Sequence, residues 1–481
     1  MILNNNYKNH YLWFSFVALV VVLLQSKLGI RYSYDSNWYI IFANRISENL
    51  DFTHQPVYAP LYSWSLGFLN LIGLSTILSI LVYWWVSYFF ILIGFYLLLK
   101  NIGFSVLGLF VVLSNLTVSS LFRFVWTELG YSVLLIFSVL SLYKLINSSN
   151  KNYKVLFLLS ISLLPLQRYI GGFISVYLGL IYLFFNNKNI LKKSFELFLA
   201  TIPISTVVIW NLFVSGFISG KRKSATSSLI DNLKQTLNVL YHNFSPEWLI
   251  FIFICFVIII LITKKKKISP ILFFIFFTPI IQVCAQIYSN STYSIDAIQP
   301  RYFIVITPLI VLLLMLFLNE IFKKKHAYFQ YYSFLLFFIL VSCNLFTINK
   351  RHHSVNSNNE VSYKEIKRYI NTIPEDSKIG VFAKNTICRQ AELILTSKII
   401  PITHCQNYKI NGDYITEDLI YTPTCNNLKG HVYVPINYDS KIKPNYIIID
   451  KIGLSHDWKM YFKNYNIVDL GSFFGLIKSN L

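Results

Sequence analysis

Four residues combine types suited to group transfer at a charged head group with positions at the edge of apolar sequence: Asp35, Glu128, Arg168 and Arg301. Asp35 lies in Arg31-Tyr32-Ser33-Tyr34-Asp35-Ser36-Asn37-Trp38-Tyr39. A carboxylate among aromatics at a membrane surface can take the proton of an incoming hydroxyl or amine. The same position also suits a helix cap, since Ser33 or Asp35 before a helical run is an ordinary start. Glu128 closes Arg123-Phe124-Val125-Trp126-Thr127-Glu128, where it could assist such a base or simply favour the dipole of the next helix. Arg168 and Arg301 offer planar forks that fit phosphate oxygens. For each, snorkelling of the charge to lipid head groups is the structural alternative.

The elements that must position these groups are apolar helices. The 481-residue chain is 55% hydrophobic and 13% charged, against roughly 25% charged in soluble chains. Apolar runs of about 20 residues are long enough to cross a ~30 Å hydrocarbon core. Lipid cannot satisfy backbone hydrogen bonds, so such runs must be helical. About eleven spans are expected, at 11–29, 76–99, 104–121, 129–147, 154–166, 171–186, 196–214, 246–263, 269–288, 302–320 and 328–347. The first is read as a span because no small-residue cleavage site follows it. The two near 160 and 178 are short and meet at Gln167-Arg168-Tyr169, with one tilted 30-residue helix as the alternative.

The net charge of +21 is carried largely by lysine runs between spans, such as Lys264–Lys267 and Lys323–Lys325. Short loops rich in lysine mark the cytoplasmic side, and no fold motif for nucleic acid accompanies the charge. With the N-terminus inside, Lys100, Lys151, Lys188, Lys192 and Lys193 also fall in the cytoplasm. The six arginines of residues 1–348 (Arg31, Arg45, Arg123, Arg168, Arg222 and Arg301) then all fall at the outer face. So do Asp35, Glu48, Asp51, Glu128, Asp231, Glu247 and Asp296, which makes the outer mouth the working face. Two outer segments are long. Residues 30–75 hold an amphipathic helix from Trp38 to Asn49, and a second helix opened by Ala59-Pro60-Leu61-Tyr62-Ser63-Trp64. Residues 215–245 are polar and contain Lys221-Arg222-Lys223.

Beyond residue 349 the sequence becomes polar. Residues 362–372 and 386–396 read as helices, Lys378–Phe382 as a strand and Tyr446–Asp450 as a buried strand. A small α/β domain outside the membrane over 349–481 is expected, with no glycine-rich phosphate loop. Of the 6 cysteines, Cys388, Cys405 and Cys425 fall there, where one disulfide or three ordinary cysteines fit equally.

Taken in order along the chain, these signals resemble the GT-C superfamily of membrane glycosyltransferases, which use polyprenyl-phosphate sugars. The branch that is most similar contains protein O-mannosyltransferases and the lipid A aminoarabinose transferase. The residues that carry the resemblance are Asp35 in a long first outer loop, the Pro60-Leu61-Tyr62 helix, Thr127-Glu128, Arg168-Tyr169-Ile170-Gly171, and Pro300-Arg301-Tyr302 with Pro308. They cover most of residues 10–348. Ala59 stands where many relatives have a second proline, and Ser36 where many have a second acid.

The resemblance implies a polytopic GT-C-like helical catalytic part (1–348) in a bacterial plasma (inner) membrane. It implies Asp35 as catalytic base, Glu128 as its assistant, and Arg301, Arg168 and Tyr302 as binders of the donor phosphate. Tyr34, His54, Gln55 and Tyr62 would line the substrate cavity. The implied partners are a polyprenyl-phosphate sugar, a glycan, lipid or protein acceptor, and membrane lipids. No cofactor is called for, and a divalent metal is left open. Two other readings are weighed. A surface-polysaccharide polymerase or ligase would concentrate arginines in a late outer loop, whereas the longest loop here is the first. A lipid-linked sugar transporter or flippase would place ionisable groups at mid-membrane, where the expected spans hold almost none.

Overall fold

A computed structural model describes residues 30, 34–52, 54, 56–99, 125–148, 151–185, 189–220, 224–225, 227–242, 270–293, 298, six positions between 302 and 313, 372–374, and strands between 378 and 479. The described helices are α1 (Tyr34–Asn49), α2 (Leu61–Leu71), α3 (Thr76–Leu99), α4 (Glu128–Ser148) and α5 (Lys151–Gln167). They continue with α6 (Gly171–Phe184), α7 (Ile190–Ser215), α8 (Leu229–His242), α9 (Pro270–Phe276) and α10 (Thr278–Thr292). The expected spans at 76–99, 129–147, 154–166, 171–186 and 196–214 coincide with α3 to α7. Those at 11–29, 104–121, 246–263 and 328–347 lie outside the described residues, as do the expected helix at 386–396, all but the last residue of that at 362–372, and Cys388, Cys405 and Cys425.

Helices α4 and α7 are each long and apolar enough to cross a membrane. α7, at 26 residues, is about 39 Å long at 1.5 Å per residue. It exposes Leu191, Phe195, Phe198, Ile209 and Phe213, the surface of a helix whose solvent is lipid. α1 begins at Tyr34, four residues before the expected start, so Asp35 lies inside the first turn rather than before it. α2 and α3 meet at a bend of 118°. A polar knot holds that corner: Ser79 Oγ donates to Asn70 Oδ1 (2.7 Å) and Thr76 Oγ1 to Asn44 Oδ1 (3.0 Å).

α5 and α6 are two helices folded back on each other, not one 30-residue helix. Ser175 Oγ donates to the Ile161 carbonyl at 2.7 Å across the pair. The corner is tight because residue 171 is glycine: a Cβ there would sit 2.6 Å from the Leu164 carbonyl oxygen. The expected span 269–288 is divided into α9 and α10 at Phe277 and runs on to Thr292. Pro279, in the first turn of α10, has no N–H for a continuous helical ladder. Tyr62, Leu66, Ile80, Leu135, Phe157, Leu164, Leu178 and Leu309 belong to one apolar core that joins these helices.

The C-terminal strands form a six-stranded sheet in the order β2-β5-β1-β6-β8-β7. It comprises β1 (Lys378–Phe382), β2 (Ile399–Pro401), β5 (His431–Pro435), β6 (Tyr446–Asp450), β7 (Tyr465–Asp469) and β8 (Phe474–Ser479). A separate two-stranded ladder pairs β3 (Lys409–Ile410) with β4 (Asp413–Tyr414). Both expected strands are present, and β6 is interior, parallel to β1 on one side and antiparallel to β8 on the other.

Candidate active site

The corner between α5 and α6, the start of α4 and the first turns of α1 come together at one end of the bundle. Ser36 Oγ donates to the Val125 carbonyl at 3.0 Å, which ties the turn carrying Asp35 to the segment leading into Glu128. Gln167 Nε2 donates to the Thr127 carbonyl at 2.9 Å and ties the same segment to the end of α5. Glu128 is the first residue of α4, where the helix dipole favours an acid. It is also ion-paired: Arg168 Nη1 lies 3.0 Å from Glu128 Oε1, with the two side chains 16% and 5% exposed. The guanidinium sits over the rings of Tyr302 (5.6 Å to the centroid) and Tyr131 (6.0 Å). A cation so held keeps its plane fixed, and its remaining N–H groups have a defined direction.

Asp35 is half-buried and accepts a hydrogen bond from Tyr58 Oη at 3.3 Å. The Tyr58 ring is set by Trp38 (stacked, 5.9 Å) and Tyr39 (edge-on, 5.6 Å). Tyr39 joins the two acids. Its phenol lies within electrostatic reach of Asp35, Glu128 and Arg168. Burial first, and then the two carboxylates, hold its pKa well above the usual tyrosine value.

A second chain of bonds fixes the loop after α1. His54 Nε2 lies 3.1 Å from Asn211 Oδ1. Asn211 Nδ2 donates to Tyr169 Oη (3.0 Å) and to the Ile218 carbonyl (2.8 Å), and Tyr169 Oη donates to the Tyr58 carbonyl (3.2 Å). With both amide hydrogens of Asn211 used, its oxygen accepts, so the His54 proton is on Nε2. Burial lowers the His54 pKa to about 4, so the ring is neutral near pH 7.

The structure thus places Asp35, Glu128, Arg168 and Tyr302 in one neighbourhood. Tyr302 contributes its buried ring beneath Arg168. His54 is buried within the loop network. Tyr62, expected to line the cavity, has no exposed surface; it packs edge-on to Tyr39 (5.1 Å) and Tyr83 (4.8 Å) and supports the helix that carries Asp35. Arg301, Gln55 and the Tyr34 side chain lie outside the described residues. Sequence reasoning missed Tyr39, Tyr58 and Tyr131. Tyr39 had a signal, since it stands four residues after Asp35 and hence on the same helix face. Tyr58 and Tyr131 had none. Among the described residues no cluster of three or more His, Cys, Asp or Glu stands together.

No protein-family model and no curated protein sequence matches this chain. Solved structures do. The crystal structure of ArnT from Cupriavidus metallidurans bound to undecaprenyl phosphate superposes with a TM-score of 0.62 at 11% identity, covering 97% of each chain. The apo crystal structure of the same protein gives 0.57 at 11% identity, again covering 97% of each chain. The fold is therefore that of these ArnT structures, and a protein of that kind stands in the branch the resemblance pointed to.

Proposed function

We propose that this chain transfers a sugar from a polyprenyl-phosphate donor to a lipid, glycan or protein acceptor at the outer face of a bacterial plasma membrane. The observation that carries this reading is the ArnT fold over nearly the whole chain, in a protein crystallised with undecaprenyl phosphate. The cluster of Asp35, Glu128 and Arg168 at one helix end supports it. In this topology the N-terminus is cytoplasmic. Residues 1–348 are the catalytic membrane part, and residues 349–481 form an outer unit built on the six-stranded sheet.

The chemistry needs few groups. A polyprenyl phosphate keeps its tail in the bilayer while its head reaches the interface. The acceptor oxygen or nitrogen attacks the anomeric carbon, and Asp35 takes its proton. The bond from that carbon to the phosphate oxygen breaks with inversion, and the phosphate leaves with the bonding pair. Arg168 and Arg301 stabilise the charge that develops on it. Glu128 and the rings of Tyr131 and Tyr302 hold Arg168 in orientation. α5 and α6, of 17 and 14 residues, are about 25 Å and 21 Å long. Both are shorter than a hydrocarbon core of ~30 Å, which would leave their corner, and Arg168, recessed toward the lipid head group.

The test compares lipid extracts from cells lacking the protein, cells carrying it, and cells carrying Asp35→Asn. Mass spectrometry should find a monosaccharide on polyprenyl phosphate accumulating in the first and third and cleared in the second. Oligosaccharides on a pyrophosphate carrier would point to the polymerase or ligase instead. Clearance by Asp35→Asn would remove Asp35 from its role.

A further inference from the structure

We infer that α8 lies in the plane of the membrane with its leucine face in the acyl chains of the outer leaflet, and so is a lipid-binding element rather than part of a polar loop. The inference rests on the chain spanning a membrane, not on the transfer reaction. At about 100° per residue, α8 divides into three sectors. Asn232, Thr236 and Val239 form one; Asn232 and Thr236 are 1% and 2% exposed. This sector faces α10, with Asn232 Nδ2 bonding Ser291 Oγ at 3.0 Å and Val239 packed against Ile287 and Ile298. Asp231, Lys234, Gln235 and Asn238 form a polar, exposed sector. The third sector is Leu229, Ile230, Leu233 and Leu237, at 58%, 62%, 47% and 58% exposure.

A water-soluble helix would turn these leucines inward and the asparagine and threonine outward. Here the buried sector is polar and the apolar one is open. The helix is firmly built. Ser228 and Asp231 cap it reciprocally, Asp231 N donating to Ser228 Oγ and Ser228 N to Asp231 Oδ2, each at 3.1 Å. Ala225 N donates to the Thr292 carbonyl (3.3 Å), which ties its entry to the end of α10.

The occupant is indicated by what precedes α8. The lipid-facing helix α7 ends with Phe213 86% exposed, and Phe217 and Ile218 continue that apolar surface beyond its last turn. The connection to α8 then carries Lys221-Arg222-Lys223, suited to anionic head groups. An amphipathic helix with a cationic flank beside a spanning segment fits an interfacial position.

The experiment uses the native chain in nanodiscs of phosphatidylethanolamine and phosphatidylglycerol, with a phospholipid that carries a diazirine on its acyl chain. After illumination, peptides of α7 and α8 should both carry lipid adducts, and peptides of the C-terminal sheet none. Leu233→Gln with Leu237→Gln should lower labelling of α8 several-fold and leave α7 unchanged. Labelling of α7 without labelling of α8 would overturn the inference, as would unchanged α8 labelling in the double variant. Neither outcome depends on transfer activity.

Discussion

The helices α4 to α7 carry an ion pair near each end of the bundle, and the two pairs are built differently. At one end Lys154 Nζ lies 2.6 Å from Glu196 Oε1, with the side chains 28% and 15% exposed. Tyr182 Oη adds a 2.6 Å bond to the other carboxylate oxygen, and Lys193 Nζ caps the Phe185 carbonyl at 2.7 Å. Each group there answers a group on a neighbouring helix, and the result is a join between α5, α6 and α7. At the other end Glu128 holds Arg168, and Asp35 lies nearby, bonded by Tyr58. This end is more buried, it uses a planar cation between two aromatic rings, and it brings a second carboxylate within reach. The first end is a join between helices; the second sets two carboxylates near one oriented guanidinium, the arrangement that the proposed transfer would use.

The comparison is tested most severely at Arg168. Arg168→Ala leaves the Glu128 carboxylate buried without its cation, which costs roughly 3–5 kcal/mol and should abolish transfer. Arg168→Lys keeps the charge and loses the fork, so it should recover folding but little activity. Thermal unfolding in detergent and transfer assays of both variants separate the two effects. Full activity in Arg168→Lys would make this end no different from the lysine end.

The His54 network gives a pH signature. The folded pKa, about 4, lies below the unfolded value near 6.5. The unfolded chain therefore binds the proton first as pH falls. Stability is undiminished above about pH 6.5 and drops toward pH 4, by up to about 3 kcal/mol. His54→Gln should flatten that slope in a series of melting curves across this range.

Tyr58→Phe should act more gently. The phenol bonds the charged form of Asp35, so its loss raises the Asp35 pKa, and the acid limb of the pH–rate profile moves to higher pH. The shift should stay below about one unit, because one such bond contributes about 1 kcal/mol. A uniform fall in rate with no movement of the limb would make Tyr58 only a packing residue. The smallest effect is expected at Lys154→Gln. It should cost about 0–1 kcal/mol, as for part-exposed pairs, with transfer activity unchanged. A large loss of activity there would erase the contrast between the ends.

Much of the fold was legible in the sequence. A continuous apolar run must be helical in lipid whatever it packs against, so α3 to α7 could be placed from hydropathy alone. The strands β1 and β6 could be read for a similar reason, as short β-branched runs bounded by polar residues. Glu128 reads as an assistant to the base and Arg168 as a binder of phosphate, but 40 positions separate them, and no local pattern announces that they pair. The same holds for Tyr58 and Asp35, and for the Asn211 side chain that links α7 to the first loop.

The sequence by itself determined that this is a polytopic helical protein, because periodicity and charge depend only on each segment and its solvent. It also determined which residue types were available for chemistry. Tertiary structure alone decided that α5 and α6 fold back at Gly171, that Tyr62 is core rather than lining, and that α8 turns its leucines outward. Those outcomes depend on which surfaces meet, and meeting is set by packing between segments far apart in the chain.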